Sequence, residues 1–166
     1  MSLDARTLGD LIDGRLPWPR LHQTMSAYKD PDRFRTYRQV LQARLGWDEP
    51  VVLALTDKLF IVDAGDRGLV RCRCGQWFGD WRENWKHAAH IAVRRSAEEL
   101  EALFGPLACD PEWMEIRELV CPGCASVLEV ETAVPGWPLL HDFEPDLAAF
   151  YRDWLDEPPP RWADDG

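Results

Sequence analysis

An α+β fold is predicted by three features of this chain. Strand-like runs fill its middle, helical periodicity marks both ends, and two cysteine clusters punctuate the strands. The clusters are Cys72-Arg73-Cys74-Gly75 and Cys121-Pro122-Gly123-Cys124; they are separated by 46 residues and hold four of the five cysteines. Each reads as a knuckle that presents two sulfurs from a tight turn. Four thiolates on two such turns form a closed, tetrahedral, structural site, for which Zn²⁺ is the usual ion. The expected architecture is therefore a zinc-ribbon-like antiparallel β core with N-terminal and C-terminal helices and extended arms. The chain divides into an N-terminal helical arm (1–46), a zinc-ribbon-like α+β core (47–133), and a segment (134–166) comprising a Pro/Gly arm, a C-terminal helix and an acidic tail.

The elements follow in order. Leu3, Leu8, Leu11 and Ile12 predict a short amphipathic helix ended by Gly14. Leu16-Pro17-Trp18-Pro19 reads as extended, because each proline pushes its predecessor out of the helical region. Asp30-Pro31-Asp32 reads as a cap, a first-turn proline and a dipole-matched acid. Phe34, Tyr37, Leu41 and Leu45 then keep helical spacing until Gly46. Val51 to Leu55 and Leu59 to Asp63 read as strands around Thr56-Asp57-Lys58, and Leu69 to Arg73 as a strand delivering the first knuckle. Ser96-Ala97-Glu98-Glu99 is a capping box for a helix that closes at Phe104-Gly105. Met114 to Val120 and Ser126 to Thr132 flank the second knuckle; in the latter, Leu128 and Val130 alternate with Glu129 and Glu131 as in a half-buried strand. Residues 133–145 are Pro/Gly-rich and irregular. Leu147, Phe150, Tyr151, Trp154 and Leu155 predict a last helix, stopped by Pro158-Pro159-Pro160, before a mobile acidic end, Asp164-Asp165-Gly166.

Bulk properties exclude several functions. The net charge is −10 and the pI about 4.8, which argues against nucleic acid, whose binding needs Lys and Arg against phosphate. Four thiolates with one Zn²⁺ add about two further negative charges. Charge is uneven: Asp66 to Arg95 holds seven Lys/Arg and three Asp/Glu, whereas Asp142 to Gly166 holds two Arg and eight Asp/Glu. Such a division can steer a protein partner. No 18-residue apolar run and no signal peptide is visible, which leads to the expectation of a cytoplasmic protein with reduced thiols and no membrane contact. Nine Trp in 166 residues fit either an interface or a small core that needs large rings.

Each chemistry-bearing residue has a competing reading. Gly75 and Gly123 permit the tight turns a metal knuckle needs, with Pro122 setting its own φ. By residue type alone, the four cysteines also suit an iron–sulfur cluster. Cys121–Cys124 could be a redox dithiol, but such pairs usually open a helix, and here a strand follows. Cys109 reads as a buried small hydrophobe, with replacement of Cys72 as fourth ligand the alternative. His87 and His90 would share a helical face, with Glu83 four residues before His87. Trp77, Trp81 and Trp85 would make one aromatic ridge if helical, either packed over the knuckle or facing a partner. No phosphate-binding loop, dinucleotide fingerprint or nucleophile elbow is present.

A longer pattern then emerges. Cys72-x-Cys74-Gly75-x-x-Phe78-Gly79-Asp80, Asn84-Trp85-Lys86, Asp110-Pro111-Glu112-Trp113, Arg117-Glu118 and Cys121-Pro122-x-Cys124 stand in order. Leu128-Glu129-Val130-Glu131, Pro135-Gly136-Trp137-Pro138, His141-Asp142-Phe143-x-Pro145-Asp146 and Phe150-Tyr151-x-x-Trp154-Leu155 continue it. Over residues 47–157 the chain resembles the small (gamma) subunit family of acetone carboxylase and acetophenone carboxylase. The resemblance implies a non-catalytic, zinc-binding subunit with a structural role in an ATP-dependent ketone carboxylase. It also implies large hydantoinase-like partner subunits that carry ATP and any other metals, and Cys72, Cys74, Cys121 and Cys124 as zinc ligands. Gln76 and Gly79 stand where acetone-specific members tend to carry His and a further Cys, so acetone and an aromatic ketone remain open as substrates of the complex. The alternative is a stand-alone redox or metal-dependent enzyme using the Cys121–Cys124 dithiol or His87/His90.

Overall fold

The computed structural model describes residues 3–27 and 30–163; the acidic end Asp164-Asp165-Gly166 lies outside them. Its elements are helices and two antiparallel sheets, so the fold is α+β as the sequence predicts. Sheet A is a meander of β1 (Val51–Ala54), β2 (Leu59–Asp63), β3 (Gly68–Cys72) and β4 (Trp77–Asp80). Sheet B runs β5 (His90–Arg94), β6 (Glu115–Val120) and β7 (Val127–Ala133).

Strand β2 is the centre of the fold because its residues are apolar on both faces. Leu59 and Ile61 enter the main core with Val70, Phe78, Trp85, Leu119 and Leu128, while Phe60 and Val62 face Leu41 and Val51 in a second cluster. The partners of that second face come from helix α3 (Arg33–Leu45), whose Tyr37, Leu41 and Leu45 form the expected stripe before Gly46 stops it at φ 63°. Helix α1 (Ala5–Ile12) lies against α3. Asp4 caps it by accepting from Thr7 N at 2.7 Å, and Arg44 donates to Gly9 O and Asp13. A methyl at Gly9 would sit 2.9 Å from Arg44 Nη2, so the glycine permits this approach. Helix α4 (Ala97–Phe104) opens on the complete Ser96/Glu99 capping box.

The C-terminal helix α5 (Leu147–Ala149) continues into a wider π turn, Phe150–Trp154. Leu147, Tyr151 and Leu155 are buried in the main core, and Tyr151 Oη donates to Val52 O at 2.8 Å. Arg35 and Arg38 of α3 grip this segment through Glu157. A cavity of about 750 Å³ opens between α1, α3 and this helix, floored by Leu8, Phe34 and Phe60.

Several sequence expectations require correction. The segment around Trp18 is not extended: helix α2 (Trp18–Ser26) begins there, with Pro19 in a first turn whose N–H groups need no helical partner. Helix α3 starts at Arg33, not behind Asp30; the Asp30 carboxylate instead accepts from Leu3 N and Asp32 N, tying α1 to the next turn. Trp77, Trp81 and Trp85 form no helical ridge, because β4 pairs with β3 and Gly79 at φ 96° breaks any helix. Trp77 is part-exposed, Trp81 packs on Trp162, and Trp85 enters the core. Trp154 points outward at the rim of the cavity, since the π turn rotates it off the buried stripe. In β7, Val130 is exposed and Glu129 and Glu131 face inward, because a register shift beside Val120 offsets the alternation while keeping Leu128 in the core.

Ile61 has no solvent exposure and lies in the main core. Ile61→Ala is expected to lower the unfolding free energy by about 2–5 kcal/mol, measured by urea titration.

Candidate metal centre

Each knuckle closes the end of a hairpin. After β3, Cys72 N donates to Gln76 O at 2.8 Å and Gly75 N to Cys72 O at 2.7 Å, with Gly75 at φ 101°. After β6, Cys121 N donates to Ser126 O and Ala125 N to Cys121 O, both at 2.9 Å, with Ala125 itself in the left-handed region at φ 56°. The two turns thus reproduce one design on two sheets. They also touch: a methyl on Gly123 would lie 3.0 Å from Gln76 Cβ and 3.3 Å from Cys74 Sγ. Glycine at this position lets the second knuckle settle on the first.

The result is one cluster. The Sγ atoms of Cys72, Cys74, Cys121 and Cys124 lie within 4.8 Å of one another. All are free thiols, and Cys74 Sγ and Cys121 Sγ are 3.7 Å apart, far beyond the ~2.05 Å of a disulfide. Metal–sulfur bonds of ~2.3 Å in a tetrahedron separate the sulfurs by ~3.7–3.8 Å, so the donor set fits Zn²⁺ in spacing and in chemistry. Cys72 and Cys121 are buried, whereas Cys74 and Cys124 reach the surface. Nothing in this donor set leaves a position for substrate once four sulfurs are bound.

Protonation shows what the cluster requires. Burial pushes the Cys72 thiol up to about 12 and also raises Cys121. Hydrogen bonds from Ser126 draw the exposed Cys124 down to about 6. Without a cation the two buried sulfurs keep their protons, so metal binding must release them.

The surroundings brace the knuckles. Arg71 is stacked between Trp47 and Trp77, with its guanidinium carbon 4.4 and 4.5 Å from the ring centroids, and pairs with Glu49 at 2.8 Å. Arg73 N donates to Lys58 O, and Lys58 Nζ donates to Val127 O at 2.7 Å, linking the first knuckle's neighbourhood to the start of β7.

The other candidates lie elsewhere. Cys109 does not replace Cys72; its Sγ is 3.9 Å from Met114 O, outside the cluster. His87 sits in a 3₁₀ turn (Trp85–Ala88) and His90 opens β5; both are exposed and share no helical face. Neither joins a potential metal-holding group among the described residues.

A second polar centre is not apparent from residue spacing. Lys86, only 2% exposed, places Nζ 2.7 Å from Glu129, 2.8 Å from Glu131 and 2.8 Å from Asp142. Arg117, also buried, pairs with Glu115 at 2.7 Å and Glu131 at 3.3 Å, and donates to Trp137 O at 2.7 Å. Burial alone draws the Lys86 ammonium down, but the three carboxylates outweigh it and leave its pKa raised. The available sequence signal was Glu129 and Glu131 two residues apart, on one face of a strand.

Comparison with known proteins places this geometry. A family model described as the acetone carboxylase gamma subunit matches residues 45–155, which span both knuckles and the ionic centre. The acetone carboxylase gamma subunit of Xanthobacter autotrophicus is 44% identical over 167 residues, 99% of each chain. The chain belongs to the acetone carboxylase gamma subunit family. The acetophenone carboxylase beta subunit of Aromatoleum aromaticum is 36% identical over 80 residues, 45% of this chain and 60% of that one. In this fold, Gln76 lies against Gly123 at the contact between the knuckles, and Gly79 takes a positive φ within β4.

Two outcomes follow for the centre. Gly123→Ala is expected to weaken metal affinity at least tenfold with little change in secondary structure, read by competition with a chromogenic chelator and circular dichroism. Because burial raises the Cys72 thiol to about 12, binding must displace its proton, so metal affinity is expected to climb as pH rises from about 6 towards 9, read by the same chelator competition at stepped pH.

Proposed function

We propose that this chain is a non-catalytic, zinc-binding small subunit of a multi-subunit, ATP-dependent ketone carboxylase, where its role is structural and assembly-directed. One observation carries the reading: a closed four-sulfur cluster at the meeting of two hairpins, in a chain 44% identical along its length to an acetone carboxylase gamma subunit. A saturated tetrathiolate ion supplies no open coordination position and therefore no Lewis-acid chemistry; it fixes chain geometry. Cys72, Cys74, Cys121 and Cys124 would hold the ion. The full-length likeness favours acetone as the substrate of the assembled enzyme over an aromatic ketone, whose relative aligns over 80 residues.

The chain's partners on this reading are large hydantoinase-like subunits that carry ATP and the reacting ketone. The cytoplasm, which keeps thiols reduced, suits four cysteines that form no disulfide. No described helix is long and apolar enough to cross a membrane. The competing dithiol enzyme would need Cys121 as an accessible partner for Cys124, yet Cys121 is buried with its thiol raised.

Affinity purification of the native protein is expected to bring down large carboxylase subunits together with one zinc per chain by elemental analysis. Cys124→Ala is expected to lose the metal and unfold the ribbon, because structural zinc is worth on the order of 10 kcal/mol. A partner-free monomer, or a fully folded metal-free Cys124→Ala protein, contradicts the proposal.

A further inference from the structure

Residues 134–146 contain no helix or strand, yet the backbone of this arm is pinned along its length. Arg117 donates to Trp137 O at 2.7 Å, Asn84 Nδ2 donates to Leu139 O at 3.1 Å, and Lys86 pairs with the Asp142 carboxylate at 2.8 Å. Its side chains take the opposite direction. Trp137, Leu140 and Phe143 are 59%, 56% and 57% exposed. A segment meant only to cover sheet B would turn its rings inward and its polar backbone outward. Here the polar atoms meet two buried cations and the Asn84 amide, while three large apolar side chains face solvent.

That inversion is costly. Lys86 and Arg117 are removed from water, which is favourable only when every charge finds partners, as these do. Replacing such a network with apolar packing often stabilises a monomer, so its retention needs a benefit beyond monomer stability. The benefit visible here is geometric: a long irregular segment is held in one conformation with its apolar anchors displayed. Long ordered loops without secondary structure are usually functional, and prior ordering removes part of the entropy cost of binding. Exposed Trp is a frequent interface hot spot.

We infer that the 134–146 arm is a pre-organised docking strap whose Trp137, Leu140 and Phe143 insert into an apolar groove with a basic rim on a different subunit of the carboxylase. This rests on the assembly reading above and adds to it the surface and the partner chemistry. Charge selects the occupant. From Asp142 onward the chain carries eight acidic residues against two Arg, on a protein of net charge −10. A second copy would bring two acidic arms together, whereas a basic-rimmed groove complements them. The same network explains why scattered motifs converge. Asn84 and Lys86, Arg117, Glu129 and Glu131, and Asp142 are far apart in sequence and meet under this arm.

The test uses full-length chain and the remaining carboxylase subunits purified without it, with binding followed by biolayer interferometry. Trp137→Ser/Leu140→Ser is expected to keep the metal content and melting temperature of the unchanged chain and to weaken binding by about 100-fold. Lys86→Met is expected to speed amide exchange over 134–146 and to weaken binding at least tenfold while the metal stays bound. Binding is expected to fall as salt rises. In the unchanged complex, Trp137 is expected to be protected from oxidative footprinting relative to the free chain; this readout stands even if a variant misfolds. Wild-type affinity for the double variant, or unchanged Trp137 footprinting on assembly, overturns the docking strap and leaves the assembly reading standing. Dimerisation of the free chain that the double variant abolishes assigns the arm to a second copy and overturns the hetero-partner inference. Failure of the unchanged chain to bind any of those subunits removes the assembly reading itself, and the strap with it.

Discussion

Four sulfur atoms gathered within 4.8 Å cannot all ionise unless a cation shares the space, because like charges so close repel strongly wherever water is excluded. Two of the four, Cys72 and Cys121, are buried, so the requirement falls on the inside of the molecule. They also belong to different sheets: one ends β3 and the other follows β6. Whatever satisfies the sulfurs therefore sets how the two hairpins cross. Gly123 is the local condition for that crossing, since any side chain there would push into Gln76 and Cys74. The apolar core then fills the space between the sheets, with Leu59 and Val70 from one and Leu119 and Leu128 from the other.

The second centre inherits its geometry from the first. Strand β7 begins immediately beyond the second knuckle, and the register shift beside Val120 determines which of its residues face the interior. A slip of one residue in a strand exchanges its two faces. In this register Glu129 and Glu131 meet Lys86, and Glu131 also reaches Arg117. Knuckle, register, ionic centre and arm thus form a sequence of dependencies, each fixed by the one before. Lys58 reinforces the first step by donating across to Val127 O, at the point where β7 starts.

Much of this was legible in the residues, and the reasons differ by element. The sulfur cluster was readable because ligand chemistry depends on residue type and turn geometry, both of which are local. The Ser96–Glu99 box and the Phe34–Leu45 stripe were readable for the same reason. Strand β4 was hidden by a tryptophan spacing of four that imitates a helix, and only pairing with β3 resolves it. Helix α2 was obscured because a proline suppresses the helix behind it but not the first turn it enters. The face of β7 was misread because Val130 looks like a core residue and two glutamates look like surface. Their roles reverse once Lys86 and Arg117, 43 and 14 residues from their glutamate partners, come underneath. Non-local charge pairing leaves no periodic trace.

The ionic centre also differs from apolar packing in its response to conditions. Asp142 is drawn below its ordinary value of 3.8 in spite of some burial, chiefly by its bond to Lys86, so its contribution is present above that pH and fades as pH falls through the depressed value. Lys86 is raised above 10.5, so its contribution is present below that pH and fades only as pH climbs past the raised value. Between those limits both ends of the clasp keep their charge. The Lys86–Asp142 clasp is therefore held across neutral pH. Burial limits screening of the Lys86–Glu129 and Lys86–Glu131 pairs, and the bonds from Arg117 and Asn84 to the arm's backbone also hold it. The more exposed Asp142 and the charges further along the chain, by contrast, are screened within about 10 Å at moderate ionic strength. Attachment of the arm to its own chain and attraction of the tail to another thus respond to salt separately. That separation lets a subunit keep its binding surface formed while free in solution.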